Sequence, residues 1–253
     1  MNKPSICLFA FALLLVASSC KKKDETPPYD PTAALAAVVK TISHTNTGTT
    51  ETYTYTGDGK IQLIQSTAGN KTSFEYPDTA TIIQTIFDNS GSIVSITNYV
   101  LEPFGFVSGS TVTNAGGNVL STHRYYYDAD KHIIVDNGST ANNDVYGKKE
   151  WSWGGGNLYA YAIYDSAVTR KDYDSYLWYY DPAVTSVGNA NTGQKFFGAD
   201  SKYLVRRIVG YTWGGGNNVY TYEYTFDSQQ RITEARTYDY DGSLKNTDSY
   251  TYY

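Results

Sequence analysis

Aromatic and polar residues alternate along several short stretches of the chain. In residues 220–226 the order Tyr-Thr-Tyr-Glu-Tyr-Thr-Phe places every ring on one face of an extended strand and Thr or Glu on the other. Residues 52–56 alternate Thr and Tyr in the same way. Such residues favour a pleated surface, and alternation indicates one dry face and one wet face. We therefore predict an all-β domain, with one weak helix over Thr32–Val39.

Turn-forming residues interrupt these stretches at short intervals and predict antiparallel hairpins. The turn signals are Gly57-Asp58-Gly59, Asn89-Ser90-Gly91, Gly116-Gly117-Asn118, Asn137-Gly138, Gly154 to Gly156, Gly214 to Gly216 and Asp241-Gly242. The resulting fold is an antiparallel meander of hairpin repeats. It forms either a large curved sheet or a closed up-and-down barrel. We expect the domain to be water-soluble, because Tyr faces one side of its strands and Thr, Glu and Gln the other, whereas lipid requires an apolar face.

A six-residue spacing recurs across these turns. An aromatic residue is followed six positions later by an apolar or aromatic one in the pairs Tyr55–Ile61, Phe87–Ile93, Tyr127–Ile133, Phe197–Tyr203 and Phe226–Ile232. We predict that each pair consists of cross-strand partners on one face of a hairpin. Asp88, Asp128 and Asp227 follow their aromatic residue and are predicted to bind the backbone amides of the turn. The basic residues before the closing position are predicted to point outward; they are Lys60, His132, Lys202 and Arg231.

A second unit occurs twice, as Trp-Ser-Trp-Gly-Gly-Gly-Asn in residues 151–157 and as Tyr-Thr-Trp-Gly-Gly-Gly-Asn in residues 211–217. We interpret both glycine triplets as hairpin turns. A phosphate-binding loop would need a Gly-Lys-Ser/Thr sequence opening a helix, and none follows. Repeats of this kind bury their faces against their neighbours.

The Tyr-x-Tyr, Asp or Gly turn, basic residue and Ile together resemble the tyrosine–aspartate (YD, Rhs-type) repeat. They also resemble Gram-negative lipoproteins that hold a domain of unknown function described as porin-like in fold. The resemblance covers about residues 36–253 and implies a β-repeat fold with no catalytic residues. The last unit, residues 238–244, departs from the pattern in its spacing.

The N-terminus reads as an export signal followed by a tether. Lys3 precedes an apolar run over residues 6–17, which has the length of a signal peptide core rather than of a membrane span. Small residues then lead to Cys20, which resembles the lipid-attachment site of bacterial lipoproteins; ordinary cleavage after Ser19 is the alternative. Residues 1–19 are thus the predicted lipoprotein signal peptide, residues 20–35 a flexible tether and residues 36–253 the β-repeat domain.

This leader predicts a lipid-anchored protein of the outer membrane, because Lys21 resembles the residue found there in lipoproteins that are released from the inner membrane. The sequence is compatible with a protein on the periplasmic side or on the cell surface, since Asp24-Glu25 resembles an acidic export signal only weakly. The predicted partners are therefore the membrane, through the anchor, and a glycan or an envelope protein.

Composition and charge exclude several other activities. The chain has 253 residues and a net charge of −5, which argues against nucleic-acid binding. Its three His show no metal-ligand spacing, and no Cys follows Cys20, so we expect no metal site, cofactor or thiol chemistry. Among 25 acidic residues some pair always looks suitable for glycosidase chemistry, so that signal decides nothing.

One aromatic cluster suggests a binding surface. Consecutive rings in residues 176–180 cannot all face one core, so at least one is exposed and available to stack on a sugar or to anchor an interface. The candidate ligand-binding residues are Trp151, Trp153, Trp178, Tyr179, Tyr180 and Trp213. Filling of the space between sheet layers is the alternative role of these rings. The sequence thus favours a non-catalytic scaffold or interaction module, then a glycan-binding surface lipoprotein, and last a hydrolase.

Overall fold

The computed structural model describes residues 38–140, 147–165, 168–179 and 192–253. They form sixteen strands: β1 Val39–His44, β2 Thr49–Tyr55, β3 Ile61–Ser66, β4 Lys71–Glu75, β5 Thr81–Phe87, β6 Ile93–Leu101, β7 Val107–Thr113, β8 Val119–Tyr127, β9 Ile133–Thr140, β10 Lys148–Gly154, β11 Asn157–Tyr164, β12 Lys171–Tyr179, β13 Val205–Thr212, β14 Asn217–Phe226, β15 Ile232–Tyr238 and β16 Leu244–Tyr252. One 3-10 turn, Lys195–Phe197, lies between β12 and β13.

The strands form a closed barrel in which each strand is antiparallel to the next. The seam is made by β1 and β16, with Ile42 opposite Tyr250 and His44 opposite Asp248. This confirms the all-β antiparallel prediction and selects the closed barrel over the open sheet. The predicted helix is wrong at its end, because Val39 begins β1; residues 32–37 lie outside the described ranges.

Most hairpins share one turn geometry. In the β5–β6 hairpin, Asp88 N donates to Ser92 O and Gly91 N donates to Asp88 O, with Gly91 at φ +84°. This pattern is a type I turn followed by a left-handed residue and a β-bulge. The left-handed residue is Gly59, Gly69, Gly91, Gly105, Gly117, Lys131, Gly215, Gln230 or Gly242 in nine such turns.

The six-residue spacing is the signature of this turn. Cross-strand pairing is confirmed for the pairs Tyr55–Ile61, Phe87–Ile93, Tyr127–Ile133 and Phe226–Ile232, each beside a register shift. The prediction is wrong for Phe197, which lies in the 3-10 turn rather than at a strand end. Tyr238 pairs with Leu244 at the same six-residue spacing, so the last unit does not depart from the pattern.

The predicted turn role of Asp is also confirmed. Asp88 Oδ1 accepts hydrogen bonds from the amides of Ser90 and Ser92, at 2.8 and 2.9 Å. Asp227 Oδ1 binds the amides of Gln229 and Arg231 in the same way. The Ser90 hydroxyl, which donates to Asp88 Oδ1, and then the Ser92 amide hold the pKa of Asp88 below its ordinary value, and the Arg231 amide does the same for Asp227.

One end of the barrel is spanned by residues 192–204, which we call the crossing segment. Gly193 O accepts a hydrogen bond from the amide of Ile61 on β3, and Ala199 N donates to Lys131 O in the β8–β9 turn. Further along, Lys202 N donates to Gly156 O in the β10–β11 turn. We call this end the capped end.

The hydrophobic core gathers under the crossing segment. Phe196 packs in one cluster with residues from β1 to β7, namely Val39, Tyr53, Ile61, Phe74, Ile82, Tyr99 and Val107. Contact of one segment with so many strands requires that these side chains point into the lumen. Barrels of this strand number enclose more space than wall side chains alone can fill, and here a length of chain fills part of it.

Aromatic side chains also brace the capped end. Seven of them donate a hydrogen bond to a backbone carbonyl near the start of an odd-numbered strand: Tyr55 to Val39, Tyr76 to Ile61, Tyr127 to Val107, Trp153 to Ile133, Tyr179 to Leu158, Tyr224 to Val205 and Tyr252 to Ile232. Each bond satisfies both a phenol or indole and a carbonyl at the rim. These bonds explain why Tyr rather than Phe occurs at so many strand ends.

The alternation of wet and dry faces holds where it was predicted. On β14, Thr221 and Glu223 are exposed while Tyr222 and Tyr224 are half-buried. The outward prediction for the basic residues is wrong for His132, which is buried and stacks on Trp153 with ring centroids 4.2 Å apart. The Asp128 carboxylate reaches its Nδ1 at 3.0 Å, so the turn draws this side chain inward.

Candidate functional site

The candidate tryptophans of β10 are half-buried. Trp151 lies opposite Tyr161, with ring centroids 5.4 Å apart, and Trp153 donates its indole N–H to Ile133 O at 2.7 Å. Trp153 also stacks on buried His132. These contacts place Trp153 in the rim of the capped end.

The two glycine triplets adopt different turns at opposite ends of the barrel. After Trp153 the turn contains only Gly155 and Gly156, at φ +58° and +79°, and it contacts the crossing segment. After Trp213 the turn is the longer bulged type, in the β13–β14 hairpin at the end opposite the crossing segment. Trp213 is 69% exposed, and the guanidinium of Arg170 lies 5.2 Å from its ring.

Trp178 belongs to a row of exposed rings on the outer wall. Trp178 is 47% exposed, while Tyr176 and Tyr211 are each 44% exposed with ring centroids 6.3 Å apart. Arg207 lies opposite Trp178 on β13, its guanidinium 5.6 Å from the ring. We call Tyr176, Trp178 and Tyr211 the outer aromatic row. Trp213 follows Tyr211 by two residues but lies in the turn after β13, beyond the strand positions that define this row.

The remaining candidates divide between the rim and the undescribed chain. Tyr179 faces inward, and its hydroxyl lies 2.5 Å from Leu158 O and 2.9 Å from Ser201 Oγ. Burial raises its pKa. Tyr180 and Cys20 lie outside the described residues, as do the predicted signal peptide and tether.

A Ser-His-Asp chain lies on the inner face of β8 and β9. His123 Nε2 is 3.0 Å from Ser121 Oγ, and His123 Nδ1 is 2.9 Å from Asp136 Oδ1. In acyl-transfer enzymes the nucleophile lies at a similar distance from the base, and the base from the acid that orients it. Such enzymes also need donors for the developing oxyanion. Here β7, β8 and β9 pair on both sides, so the amides around Ser121 are engaged in the sheet. The Ser-His-Asp hydrogen bonds are better explained as providing a partner for the Asp136 carboxylate, which is buried.

A second inner region lies across the seam, between β14–β16, β1 and the crossing segment. It is a cavity of about 410 Å³ lined by Val39, Ile42, Thr192, Asp200, Leu204, Tyr222, Tyr224, Ile232, Ala235, Thr237, Asp248 and Tyr250. Asp248 Oδ1 lies 2.6 Å from His44 Nδ1 and also accepts a hydrogen bond from Asn246. Burial raises the pKa of Tyr250, and the neighbouring Asp248 carboxylate raises it further.

Sequence reasoning missed this cavity. Alternation already placed Tyr222 and Tyr224 on a dry face. Two facts that bring the lining residues together have no local signal: the pairing of β16 with β1, and the entry of the crossing segment into the barrel. The pattern Asp248-x-Tyr250, with both residues on one face of a strand, was the one readable hint.

Within residues 38–140, 147–165, 168–179 and 192–253, no group of three or more His, Cys, Asp or Glu side chains is placed to hold a metal ion. No helix in this described part of the chain is long and apolar enough to cross a membrane.

A closed, antiparallel sixteen-stranded barrel with an internal cavity defines the class of the fold as porin-like. A porin-like protein from Bacteroides uniformis superimposes with a TM-score of 0.57 at 18% identity, covering 85% of this chain and 96% of that one. One from Bacteroides vulgatus gives 0.56 at 14% identity, covering 85% and 99%. No family model and no curated protein matches the chain. The comparison confirms the expected porin-like fold and, at these identities, shows the fold alone.

Proposed function

We propose that this chain is a lipid-anchored protein of the cell envelope whose YD-like barrel stands in water as a non-catalytic scaffold or interaction module. One observation carries the proposal: the outward face of the barrel bears charges in the middle of its strands. They include Arg124, Glu150, Asp174, Arg207, Glu223 and Arg236. A barrel that spans a membrane needs an apolar outward band, so this wall belongs in water.

Several of the outward charges form ion pairs on the wall. Arg236 Nε lies 2.6 Å from Glu234 Oε1, and Lys171 Nζ lies 3.2 Å from Asp174 Oδ2. Because the wall is polar, attachment to the outer membrane must come from elsewhere, and the predicted site is Cys20. The porin-like neighbours support an envelope role for this fold without extending to the anchor.

The anchor is tested by mass spectrometry of the mature protein made in a Gram-negative host. We expect a mature N-terminus at Cys20 that carries acyl chains, and recovery of the protein in the membrane fraction. The matched variant Cys20→Ala should move to the aqueous fraction while keeping its far-ultraviolet spectrum. An unmodified Cys20, or cleavage that leaves no lipid, would contradict the proposal.

A second function, glycan binding, is favoured by the outer aromatic row. Tyr176, Trp178 and Tyr211 are each nearly half exposed, and Asp174 and Arg207 beside them supply an acceptor and a donor for sugar hydroxyls. Rings of this kind form the energetic centre of many interfaces. The platform would therefore lie on β12 and β13 rather than on all the candidate tryptophans.

This alternative is tested on a glycan array with the mature chain carrying Cys20→Ala. We expect binding that Trp178→Ala weakens by about tenfold or more, as for an interface hot spot. Trp213→Ala is the control, since that ring is exposed outside the row. Equal losses in both variants, or no bound glycan, would remove the alternative.

A further inference from the structure

The lumen cavity between the seam and the crossing segment is lined by both apolar and polar side chains. Val39 and Ile232 begin their strands at the capped end, and Leu204 ends the crossing segment; all three are nearly fully buried. Further from this end β15 contributes Thr237 and β16 contributes Asp248, and the crossing segment itself adds Asp200. The cavity therefore combines apolar and polar side chains, so its chemistry suits an amphipathic molecule.

Two polar groups at this cavity lack partners. Among the described residues, the Tyr250 hydroxyl has no hydrogen bond, although the side chain packs against the hydrophobic core. Asp248 uses Oδ1 for His44 and Asn246, while its Oδ2 has no partner in the same part of the chain. Both residues are half-buried, and neither atom is among the fully enclosed unpartnered atoms of the described residues, so both are open to a molecule in the cavity. A bound ligand or water would satisfy both atoms.

The charge of the lining selects among ligands. Asp200 and Asp248 contribute two carboxylates, and no Lys or Arg belongs to the described lining. An anionic ligand would meet repulsion here, whereas a cation would be stabilised by a charge-assisted hydrogen bond. The rings of Tyr222, Tyr224 and Tyr250 add attractive faces for a cation. A volume of about 410 Å³ lies within the range of small-molecule sites.

We propose that this cavity binds a small organic cation, an apolar or aromatic body carrying a protonated amine. The body lies against Val39, Leu204 and Ile232, and the amine donates to Asp248 Oδ2 and to the Tyr250 hydroxyl oxygen. This site is inside the barrel and is separate from the outer aromatic row. It does not depend on the lipid anchor or on glycan binding.

The test compares three ligands of similar shape and different charge by isothermal titration calorimetry on the mature chain carrying Cys20→Ala. They are 2-phenylethylamine, neutral 2-phenylethanol and anionic 3-phenylpropanoate. We expect the amine to bind with a dissociation constant on the order of millimolar, as its size allows. The alcohol should bind about tenfold more weakly, and the anion not detectably.

Two variants locate the site. Asp248→Asn keeps the shape but removes the charge, so it should abolish the preference for the amine over the alcohol. Tyr250→Phe should weaken amine binding several-fold. Tyr126→Phe and Glu223→Gln, at exposed positions on β8 and β14, are the matched controls and should leave amine binding unchanged. Thermal melts establish that each variant is folded.

Several outcomes would overturn the proposal. Equal binding of amine and alcohol, or a preference that persists in Asp248→Asn, would show that the carboxylate does not select the ligand. No heat with the amine at millimolar concentrations would show that the cavity takes no such cation. Maltose serves as a probe of the outer wall. If the protein binds maltose but not the amine, and Trp178→Ala abolishes maltose binding while Asp248→Asn does not, recognition belongs to the outer wall instead.

Discussion

At the scale of single residues, two glycines let the crossing segment lie against the wall. Gly193 and Gly198 both have positive φ, at +71° and +92°. A Cβ at Gly193 would come within 2.7 Å of Ile61 N, and one at Gly198 would meet Lys131 O and the Tyr127 ring. Both positions therefore need glycine for conformation and for space. Sequence reasoning did not anticipate either one, because the atoms they approach belong to distant strands.

Gly198→Ala should destabilise the barrel by about 3 kcal/mol, since a positive φ and a steric clash add together. Gly214→Ala is the matched control: its φ is +103°, but no atom lies within 4 Å of the added Cβ. The free energy of unfolding of this control should fall by only about 1 kcal/mol. Urea unfolding of the two variants measures both values. Equal losses would mean that the segment does not press on Lys131 and Tyr127.

At the scale of the element, the bulged hairpin is the unit that the sequence encodes best. Its Asp, its left-handed residue and its flanking pair all lie within seven residues, so the six-residue spacing predicted four hairpins correctly. The Phe197 pair has the same spacing but lies in the crossing segment, where contacts with distant turns override the local pattern. The glycine triplets show the same limit, since similar sequences form different turns at opposite ends.

Gln230 occupies a turn position that elsewhere is mostly glycine, at φ +63°. Gln230→Gly should raise the free energy of unfolding by about 0.5–1 kcal/mol, because the left-handed conformation is strained for residues with a Cβ. Gly91→Ala is the reciprocal change in the β5–β6 turn and should lower it by a similar amount; its φ is +84° and its surroundings are open. Chemical denaturation of both variants provides the check. A loss of stability in Gln230→Gly would contradict this account of the turn.

At the scale of the whole molecule, the sequence did not decide whether the sheet closes into a barrel. A curved sheet and a barrel have the same hairpins and differ only in whether β1 meets β16, about 200 residues away in sequence. The internal cavity shares this dependence, because its lining comes from both sides of the seam. Two members of the outer aromatic row, Tyr176 and Trp178, lay in the cluster proposed from the sequence, whereas Tyr211 was named only as part of a repeat.

Buried tyrosines give the barrel a dependence on alkaline pH. Burial raises the pKa of Tyr125, Tyr161 and Tyr252 to about 12, above the value of about 10 in an unfolded chain. Because the folded pKa is the higher one, stability is complete below pH about 10 and falls between about 10 and 12, where the unfolded state ionises first.

Urea unfolding measured between about pH 8 and 11 should show a constant free energy of unfolding up to pH about 10 and a decline beyond it. Absorbance near 295 nm should show these tyrosines ionising together with loss of the β spectrum. Complete tyrosine ionisation near pH 10 with an intact β spectrum would contradict the burial described for them.

The hydrogen bond from Tyr253 N to Val38 O, at 3.3 Å, brings the last residue of the chain beside the first described one. The chain could therefore begin at another strand of the closed barrel without changing which strands are neighbours. A short linker between these positions, with new termini cut into an exposed hairpin such as the one at Gly91, yields a circular permutant with every strand neighbour retained.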